Sequence, residues 1–332
     1  MANQEVHVIF GTGPVGQAVA RELVKRGKAV KMINRSGQMP EGVPDSVSVI
    51  AGDVSDVNVA KQLAQGATHV YQCTNPPYDK WPELFPALQA STLEAAAGAG
   101  AKYIVMDNVY AYGDPNGQPI TEDLPYNAHT KKGQVRAQMA KDALAAHQSG
   151  KVRVTIARAS DFYGTGVVDS AAGDRVFGFA LEGKAASVTG NLDAKHSYTY
   201  IEDIGKALVI LGERDEALGQ AWHVPNDQPR ITQRQFADLV YREVGQPVKA
   251  SGVSRSMMRL AGLFVPGARE TVEMMYEFER PFVVDSTRFE TTFGVSATPI
   301  AQAIETTLAW YRRQTSPADA ESGPIDRQPA AA

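Results

Sequence analysis

The stretch VHVIFGTGPVGQAVARELVKRG, residues 6–27, decides the fold of this chain. VHVIF has the apolar run of a buried strand, and GQAVARELVKRG has the apolar spacing of a helix. The loop between them, GTGPVG, follows the order G-x-G-x-x-G. Such glycines let the turn tighten, let the backbone approach a pyrophosphate and let the helix pack on the strand, so the loop predicts a dinucleotide site. The residues of this predicted site are Gly11, Thr12, Gly13, Pro14, Val15 and Gly16.

The first half of the chain repeats this alternation of strand-like and helix-like stretches. Predicted strands are VHVIF, AVKMIN, VSVIA, THVYQC, KYIVMD and KVRVTIARAS. Strand and helix in regular order favour a parallel sheet with helices on both faces. We therefore predict an α/β fold, in which residues 1–160 form a doubly wound Rossmann domain. Residues 161–314 should form mainly a smaller C-terminal substrate domain, from which about residues 195–232 return to the Rossmann domain.

The composition argues against several classes of function. The chain has 332 residues, of which 43% are apolar and 21% charged, as in ordinary soluble globular proteins. A net charge of −4 argues against nucleic acid or an acidic membrane as a main partner. We therefore expect a small-molecule substrate and a monomer or homodimer, with no nucleic acid or membrane partner. The spacing of His, Cys, Asp and Glu suggests no metal site.

Three further features bear on location and on the chain ends. The single cysteine, Cys73, rules out an intrachain disulfide and favours a reducing compartment such as the cytoplasm, and no signal-peptide pattern precedes VHVIF. The run MMRLAGLFV is too short to span a bilayer and is expected to be a buried helix. Residues 315–332 have almost no apolar content and are predicted to be a disordered tail.

The ends of the second and third strands favour NADP over NAD as the cofactor. An NAD site usually has an acidic residue at the end of the second strand, whereas Asn34, Arg35 and Ser36 stand there in this chain. An arginine and a hydroxyl would receive a 2′-phosphate that a carboxylate would repel; the alternative for Arg35 is a solvated loop charge. Asp53, followed by Val54, would suit the adenine edge or cap the next helix.

The stretch after the fourth strand should pass the nicotinamide end of the cofactor. Cys73, Thr74 and Asn75 open this stretch, CTNPPYDKW, and are predicted to contact the cofactor. Tyr78 and Trp81 follow and are candidates for the wall of a substrate pocket. The alternative is that these two aromatic residues only cover the helix behind them.

Several motifs together resemble the extended short-chain dehydrogenase/reductase family, the NAD-dependent epimerase/dehydratase-like group. They are the glycine loop, AGDVSD, NVYAYGDPNGQPITEDLPYNAHTKKG, RASDFYGTG, YIEDIGKAL and TTFGVSATPIAQAI, spread over residues 5–313. The resemblance implies a Rossmann fold and a bound NAD(P). It also implies catalysis by a Ser or Thr together with a Tyr-x-x-x-Lys pair.

The chain departs from this family pattern at all three catalytic positions. The positions of the family's Ser, Tyr and Lys hold Asn108, Lys132 and Arg136. The resemblance then implies that Lys132 replaces the proton-transferring Tyr, that Arg136 holds the nicotinamide ribose, and that Asn108 donates to a substrate carbonyl. The charge of Arg136 and partial burial should favour the neutral amine of Lys132, which can act as an acid or base. The alternative is a basic turn without chemistry.

Two more tyrosines complete the candidate site. Tyr126 and Tyr163 are predicted to line the substrate pocket, where either could supply a phenol. MMYEFERPF, residues 274–282, could cover the same pocket as a lid or pack as an ordinary helix.

These observations lead to three functional hypotheses. The first is an enzyme, an NADP-dependent oxidoreductase acting on a small carbonyl or hydroxyl compound through a Lys/Arg-modified site. The second is a non-catalytic NADP-binding regulator that serves as a redox sensor. The third is a sugar-nucleotide epimerase or dehydratase, ranked lower because the Tyr is missing and no Arg pair for a diphosphate is evident.

Overall fold

The computed structural model describes residues 5–315, and a parallel sheet forms its centre. Strands β1 to β6 and β10 form this seven-stranded sheet in the order β10-β6-β5-β4-β1-β2-β3, while β7 pairs with β9 and β8 with β11. The strands of the described chain are β1 (Val6–Phe10), β2 (Ala29–Asn34), β3 (Ser48–Ala51), β4 (His69–Gln72), β5 (Lys102–Asn108), β6 (Arg153–Ala159), β7 (Asp161–Tyr163), β8 (Ala186–Thr189), β9 (Tyr198–Tyr200), β10 (Ala221–His223) and β11 (Ala250–Val253).

Helices cover both faces of the seven-stranded sheet. The helices of the described chain are α1 (Pro14–Lys25), α2 (Val57–Leu63), α3 (Trp81–Ala99), α4 (Lys131–Gln148), α5 (Phe177–Leu181), α6 (Ile201–Glu213), α7 (Gln233–Glu243), α8 (Arg255–Ala261), α9 (Pro266–Thr271), α10 (Tyr276–Glu279), α11 (Thr287–Phe293) and α12 (Ile300–Thr315). Helix α1 packs against α6, whereas α3 packs against α2 and α4. The predicted α/β fold with a doubly wound Rossmann sheet is confirmed.

Alternation along β1 shows how the sheet divides the core. Ile9 packs in one hydrophobic cluster, while Val8 and Phe10 pack in another. Successive side chains of a strand point to opposite faces, so each cluster lies on its own side of the sheet. Strands buried on both faces appear in the sequence as continuous apolar runs, which is why these strands were visible there.

Side-chain caps fix where the helices near the site begin. Thr130 accepts the N–H of Gly133 and so starts α4, the helix that carries Lys132 and Arg136. Asp56 caps α2 through the N–H groups of Asn58 and Val59. Caps of this kind satisfy first-turn N–H groups that have no acceptor inside the helix.

The carboxyl ends of the central strands bring the candidate site together. The glycine loop follows β1, residues 73–75 follow β4, Asn108 ends β5 and Ser160 follows β6. Since these strands are parallel neighbours, the segments meet at one edge of the sheet, where ligands bind in open α/β folds. Later in the chain, α6 and β10 return to the main sheet, with β10 as its edge strand beside β6.

The expectation of a buried helix at MMRLAGLFV is wrong. Met258 alone is buried in α8, and the residues after this helix are largely exposed, 74% for Leu263 and 83% for Phe264. Within residues 5–315, no helix is both long and apolar enough to cross a membrane.

The predicted tail starts one residue early, because α12 continues through Thr315, and residues 316–332 lie outside the described part of the chain.

The crossing of α1 and α6 depends on Gly205. A Cβ at this position would lie 2.6 Å from the carbonyl oxygen of Ala18, so Gly205→Ala must push the two helices apart. We expect the free energy of unfolding to fall by about 1–3 kcal/mol, as for other overpacked contacts. Urea unfolding followed by circular dichroism measures this change.

Gly98→Ala is the matched control for Gly205→Ala. Gly98 is an exposed residue of α3, and a Cβ there would meet nothing closer than Lys61 Cγ at 3.9 Å. Alanine is the better helix former, so this variant should gain up to about 1 kcal/mol. Equal effects of the two substitutions would contradict a tight crossing at Gly205.

Candidate cofactor and active site

The glycine loop is tight on its inner side and open on its outer side. Gly11 has a φ of +103°, and a Cβ there would lie 2.7 Å from the carbonyl oxygen of Cys73. A Cβ on Gly16 would collide with the carbonyl oxygen of Gly11, whereas a Cβ on Gly13 would meet nothing within 4 Å. Only glycine therefore suits the two inner positions, and the backbone at Gly13 is accessible to a ligand.

The start of α1 adds donors for an anion. Pro14 occupies the first turn, Gly13 is the N-cap residue, and no described side chain caps this end. First-turn N–H groups such as those of Val15 and Gly16 have no acceptor inside the helix, and the helix dipole makes this end positive. These groups fit the pyrophosphate of a dinucleotide.

Thr74 offers a further polar group beside the same loop. Its backbone nitrogen lies 2.9 Å from the position that a Cβ on Gly11 would take. Its hydroxyl is buried and has no hydrogen-bond partner among the described residues. Buried hydroxyls are normally hydrogen-bonded, so this one fits a ligand group at the glycine loop.

Burial raises the pKa of the neighbouring Cys73 thiol, which disfavours a reactive thiolate at that position.

Asn34 organises the loop after β2. Its amide nitrogen donates to the Thr12 hydroxyl at 3.1 Å and to the Gln38 carbonyl at 2.9 Å. Its side-chain oxygen accepts the N–H of Gly37 at 2.6 Å. The loop therefore has a fixed shape that ties the end of β2 to the glycine loop.

Arg35, Ser36 and Asp53 lie on the surface at this end of the cofactor groove. All three residues are exposed. The hydroxyl and N–H of Ser55 hold the pKa of Asp53 below its usual range, with a smaller contribution from the charge of Arg35. Asp53 shapes the turn before α2, whereas Asp56 caps the helix, so the capping alternative for Asp53 is wrong.

Asp107 joins two buried arginines at the carboxyl ends of β5 and β6. Its Oδ1 accepts from Arg136 Nε at 2.7 Å, and its Oδ2 accepts from Arg158 Nε at 3.0 Å. Asp107 is 4% exposed, Arg136 5% and Arg158 0%. The Met106 carbonyl accepts a further bond from Arg136 Nη2 at 3.1 Å, and the guanidinium carbon lies 4.6 Å from the ring centre of Phe85.

This arrangement changes what the sequence implied for Arg136. The expected partner of Arg136 was a ribose, whereas the structure directs its guanidinium to Asp107. Successive side chains of a strand point to opposite faces, so Asp107 and Asn108 lie on different sides of β5. The long Arg136 side chain reaches the side of Asp107. The charge of Arg136 is therefore neutralised inside the protein.

Lys132 is held by two carboxylates. Its ammonium lies 2.6 Å from Glu270 Oε2 and 2.9 Å from Glu273 Oε1. The side chain is 2% exposed, and Nζ lies 4.4 Å from the ring centre of Tyr78. Arg136 was the expected neighbour of this amine, whereas the structure places Glu270 and Glu273 there.

The same contacts tie the C-terminal region to the start of α4. Glu270 belongs to α9, and Glu273 lies in the turn that follows it. Glu273 also accepts the N–H of Lys131 at 2.9 Å. Lys132 therefore holds the segment 266–274 against the start of α4. The catalytic Tyr of the family pattern would belong to this helix.

Asn108 borders a small cavity. Its side-chain oxygen accepts the N–H of Tyr110 at 3.2 Å, which leaves the amide nitrogen as the end that can donate to a ligand. The cavity has a volume of about 20 Å³, room for about one water molecule. Its lining includes Asn108, Tyr110, Asp161, Phe162, Glu277 and Phe282. A wider depression of about 620 Å³ lies along α7 and contains none of the predicted site residues.

The four aromatic candidates for the substrate pocket fall into different environments. The hydroxyl of Tyr78 lies 3.4 Å from that of Tyr110, next to the cavity. Trp81 is 2% exposed, begins α3 and packs edge-on against Tyr78, which agrees with the alternative that it covers the helix. The hydroxyl of Tyr126 accepts from Arg158 Nη2 at 2.7 Å.

Tyr163 is not part of the pocket in this structure. It is 2% exposed and packs in the core against Phe177, Tyr200 and Phe236. Burial raises the pKa of its hydroxyl above the usual range. The expectation that Tyr163 lines the substrate pocket is wrong because β7 directs this side chain into the core.

Three ionisable residues near Asn108 were missed by the sequence analysis. Asp161 and Glu277 line the cavity, and His196 lies 2.7 Å from Asp161 Oδ2. Asp161 belongs to the RASDFYGTG motif and Glu277 to the stretch proposed as a lid, so local signals existed. Their proximity depends on contacts between distant residues, 35 positions apart for His196 and Asp161 and 81 for His196 and Glu277, which no local pattern reveals. Within residues 5–315, no cluster of three or more His, Cys, Asp or Glu side chains is arranged to hold a metal ion.

The buried Asp107 should be essential for stability. Asp107→Asn removes the anion and leaves Arg136 and Arg158 as buried cations, so we expect the free energy of unfolding to fall by about 3–5 kcal/mol. Asp142→Asn is the matched control, since this α4 aspartate is exposed and bonds only Gln138 in the described chain. It should change stability by less than about 0.5 kcal/mol in urea unfolding. An Asp107→Asn protein as stable as the parent would contradict the role of the carboxylate.

Solved structures of other proteins share the fold at low sequence identity. An epimerase from Methanothermobacter thermautotrophicus is 16% identical, with a TM-score of 0.78 over 94% of this chain and 93% of that chain. UDP-N-acetylglucosamine 4-epimerase from Bacillus cereus is 15% identical, with a TM-score of 0.74 over 93% and 97%. dTDP-glucose 4,6-dehydratase from Bacillus anthracis, in complex with NAD, is 12% identical, with a TM-score of 0.73 over 94% and 97%.

The family itself is shown by the sequence. Comparison with curated proteins gives no match. The model of the NAD dependent epimerase/dehydratase family matches residues 7–224, more than half of the chain, and so confirms the resemblance found in the motifs. This match covers the glycine loop, Asn108, Lys132 and Arg136. The chain belongs to the NAD-dependent epimerase/dehydratase family.

Proposed function

We propose that this chain is an NADP-dependent oxidoreductase that acts on a small carbonyl or hydroxyl compound. The observation that carries the proposal is the cavity beside Asn108, at the sheet edge where the glycine loop also lies. It combines polar groups of Asn108, Asp161 and Glu277 with the rings of Phe162 and Phe282. A few placed polar groups in an otherwise apolar pocket are typical of small-molecule sites. Its volume of about 20 Å³, room for about one water molecule, fits the reacting oxygen atom of a substrate.

The cofactor assignment rests on this chain's own residues. Residues 11–16 would hold the pyrophosphate, Arg35 and Ser36 the 2′-phosphate, and Asp53 with Val54 the adenine side. The segment 73–75 would pass the nicotinamide ribose. A bound nicotinamide dinucleotide supplies or accepts the hydride. NAD is the alternative cofactor, and the absence of any carboxylate in the sequence from Asn34 to Gln38 argues against it.

Asn108 is the residue proposed to orient the substrate. Its amide nitrogen is free of the Tyr110 contact and can donate to a carbonyl or hydroxyl oxygen. Lys132 is poorly placed to transfer the proton, because two carboxylates hold its ammonium. Lys132 and Arg136 would then hold neighbouring segments in place around the substrate and would transfer no proton.

A non-catalytic NADP-binding regulator is the second candidate. One observation favours it, namely that carboxylates of the same chain engage both Lys132 and Arg136. Such a protein would bind NADP(H) through the glycine loop and turn over no substrate. A sugar-nucleotide epimerase or dehydratase agrees with the family, but the Tyr of the family's catalytic pair is missing in this chain. Thermal-shift measurements with nucleotide sugars test this third reading.

A turnover screen separates the enzyme from the regulator. The protein is mixed with NADPH and a panel of small aldehydes and ketones, or with NADP and the matching alcohols, and the absorbance of the reduced nicotinamide is followed. Turnover of at least one small compound, lost in Asn108→Ala, would support the proposed function. Tight NADPH binding without turnover of any compound would instead favour the regulator.

Arg35→Ala should remove most of the preference for NADP(H). A charge-assisted bond to a phosphate contributes roughly 1.5–3 kcal/mol, or about one to two powers of ten in affinity. The affinity for NAD(H), which lacks the 2′-phosphate, should stay nearly unchanged and serves as the internal control. Lys61→Ala, at an exposed lysine of α2, should change neither affinity. Titration of the parent protein and both variants with NADP(H) and NAD(H) measures these affinities. Equal affinities of the parent protein for the two cofactors would exclude the NADP preference.

A further inference from the structure

Glu277 is a buried carboxyl group that faces the cavity beside Asn108. It lies in α10, is 1% exposed and lines the cavity together with Tyr110, Phe162 and Phe282. Its Oε1 is buried without a hydrogen-bond partner among the described residues. A buried polar atom in such a place normally has a partner, and the cavity has room for one oxygen atom beside this carboxyl.

His196 links Glu277 to a second carboxyl, that of Asp161. Its Nδ1 lies 3.2 Å from the backbone carbonyl of Glu277, and its Nε2 lies 2.7 Å from Asp161 Oδ2. A carbonyl oxygen only accepts, so Nδ1 must carry a hydrogen and donate it. The contact between Nε2 and Asp161 fixes the other side of the imidazole ring. The rings of Phe278 and Phe282 stack on His196 and fix its orientation.

The surroundings of Glu277 oppose its ionisation. Burial raises the pKa of Glu277 well above its usual range, and the nearby charge of Asp161 raises it further. The hydroxyl of Tyr276 acts in the opposite direction with a smaller effect. The ionisable groups that face Glu277 from neighbouring elements are Asp161, His196, Tyr276, Tyr78 and Tyr110. Burial and the charge of Asp161 therefore favour the neutral carboxyl, which has an O–H to donate.

We propose that Glu277 is the group that gives a proton to the substrate oxygen in this chain, and that Asp161 and His196 are positioning residues for it. This inference rests on the proposed oxidoreductase function. The geometry supports it because Glu277 and Asn108 border the same cavity, so both can reach one oxygen atom of a small compound.

Other proton donors near the cavity fit less well. Lys132 is held by Glu270 and Glu273. Tyr110 lines the cavity, but burial raises the pKa of its phenol well above the usual range, which makes it the weaker acid. A general acid acts best when its pKa lies near the working pH, and burial raises the pKa of the Glu277 carboxyl from its low usual range in that direction.

The proton transfer balances in both directions. During reduction, the substrate carbon gains a C–H bond through the hydride delivered by the reduced dinucleotide, and the π electrons of the carbonyl move to oxygen. The O–H bond of Glu277 breaks and a new O–H bond forms on the substrate. The resulting carboxylate recovers a proton from solvent water before the next turnover. During oxidation of an alcohol, the carboxylate accepts the proton and each transfer is reversed.

The protonation state of Glu277 can be measured without any substrate. Full-length protein is labelled with glutamate that carries ¹³C at the side-chain carboxyl, and the NMR resonances are followed between pH 4 and pH 10. One resonance should titrate far above the ordinary glutamates, and it should disappear in Glu277→Gln. Glu279→Gln, a change of the same kind in the same helix but at a partly exposed residue paired with Arg255, should keep it. If no resonance titrates above the ordinary range, the inference is overturned.

Kinetics then test the role in proton transfer, with NADPH and a compound found in the screen. Glu277→Gln keeps a neutral, similarly shaped side chain, so it should fold and bind NADPH as the parent does. Its kcat should fall by about 10²- to 10⁴-fold, and the alkaline limb of the pH–rate profile should disappear. Glu279→Gln should keep both the rate and the profile.

Three results would overturn the inference. They are a parental rate in Glu277→Gln, an alkaline limb that persists in that variant, and a Tyr110→Phe variant that alone loses both rate and limb. If the parent protein reduces no compound, the proposed function fails and the catalytic role of Glu277 fails with it. The NMR titration would still show whether Glu277 is protonated, so the two failures are distinguishable.

Discussion

The arrangement of the candidate site depends on the carboxylate of Asp107. Two arginines with almost no exposure bind its two oxygens, one from α4 and one from β6. Buried charges are stable only when they are paired and hydrogen-bonded, so this carboxylate fixes how α4 lies against the ends of β5 and β6. Asn108 follows Asp107 directly and donates its N–H to Asp107 Oδ1 at 2.8 Å. The residue that we propose to orient the substrate is thus bonded to the buried group of Asp107, Arg136 and Arg158.

The parts of the site that the sequence could predict are those determined by short stretches. The glycine loop was visible because the roles of Gly11 and Gly16 arise from steric contacts of a single strand, turn and helix. The strands were visible because burial on both faces produces continuous apolar runs. The partners of Lys132 were not predictable, because Glu270 and Glu273 come from a segment about 140 residues later. A one-turn spacing shows which residues share a helix face, but it does not show which charges another segment brings to that face.

The same limit explains the error at MMRLAGLFV and at Tyr163. Both were judged from residue type, yet burial is decided by what packs against a residue. The apolar residues after α8 meet little of the described chain and stay exposed, whereas Tyr163 lies among other aromatic rings. Residue type alone predicts composition of the core well, but it does not assign a particular side chain to a pocket or to the surface.

The substitutions at the family's catalytic positions and the carboxyl at 277 belong to one arrangement of charges. A lysine at position 132 needs anions when it is buried, and Glu270 and Glu273 supply them. The segment that carries these two glutamates continues directly into α10, so the contacts of Lys132 also determine where Glu277 lies. A lysine thus stands where the family has a phenol, and two acidic residues from another part of the chain lie beside it. One carboxyl of that region, Glu277, faces the cavity, and its Oε1 has no hydrogen-bond partner among the described residues, which is the basis for the proton transfer that we propose for it.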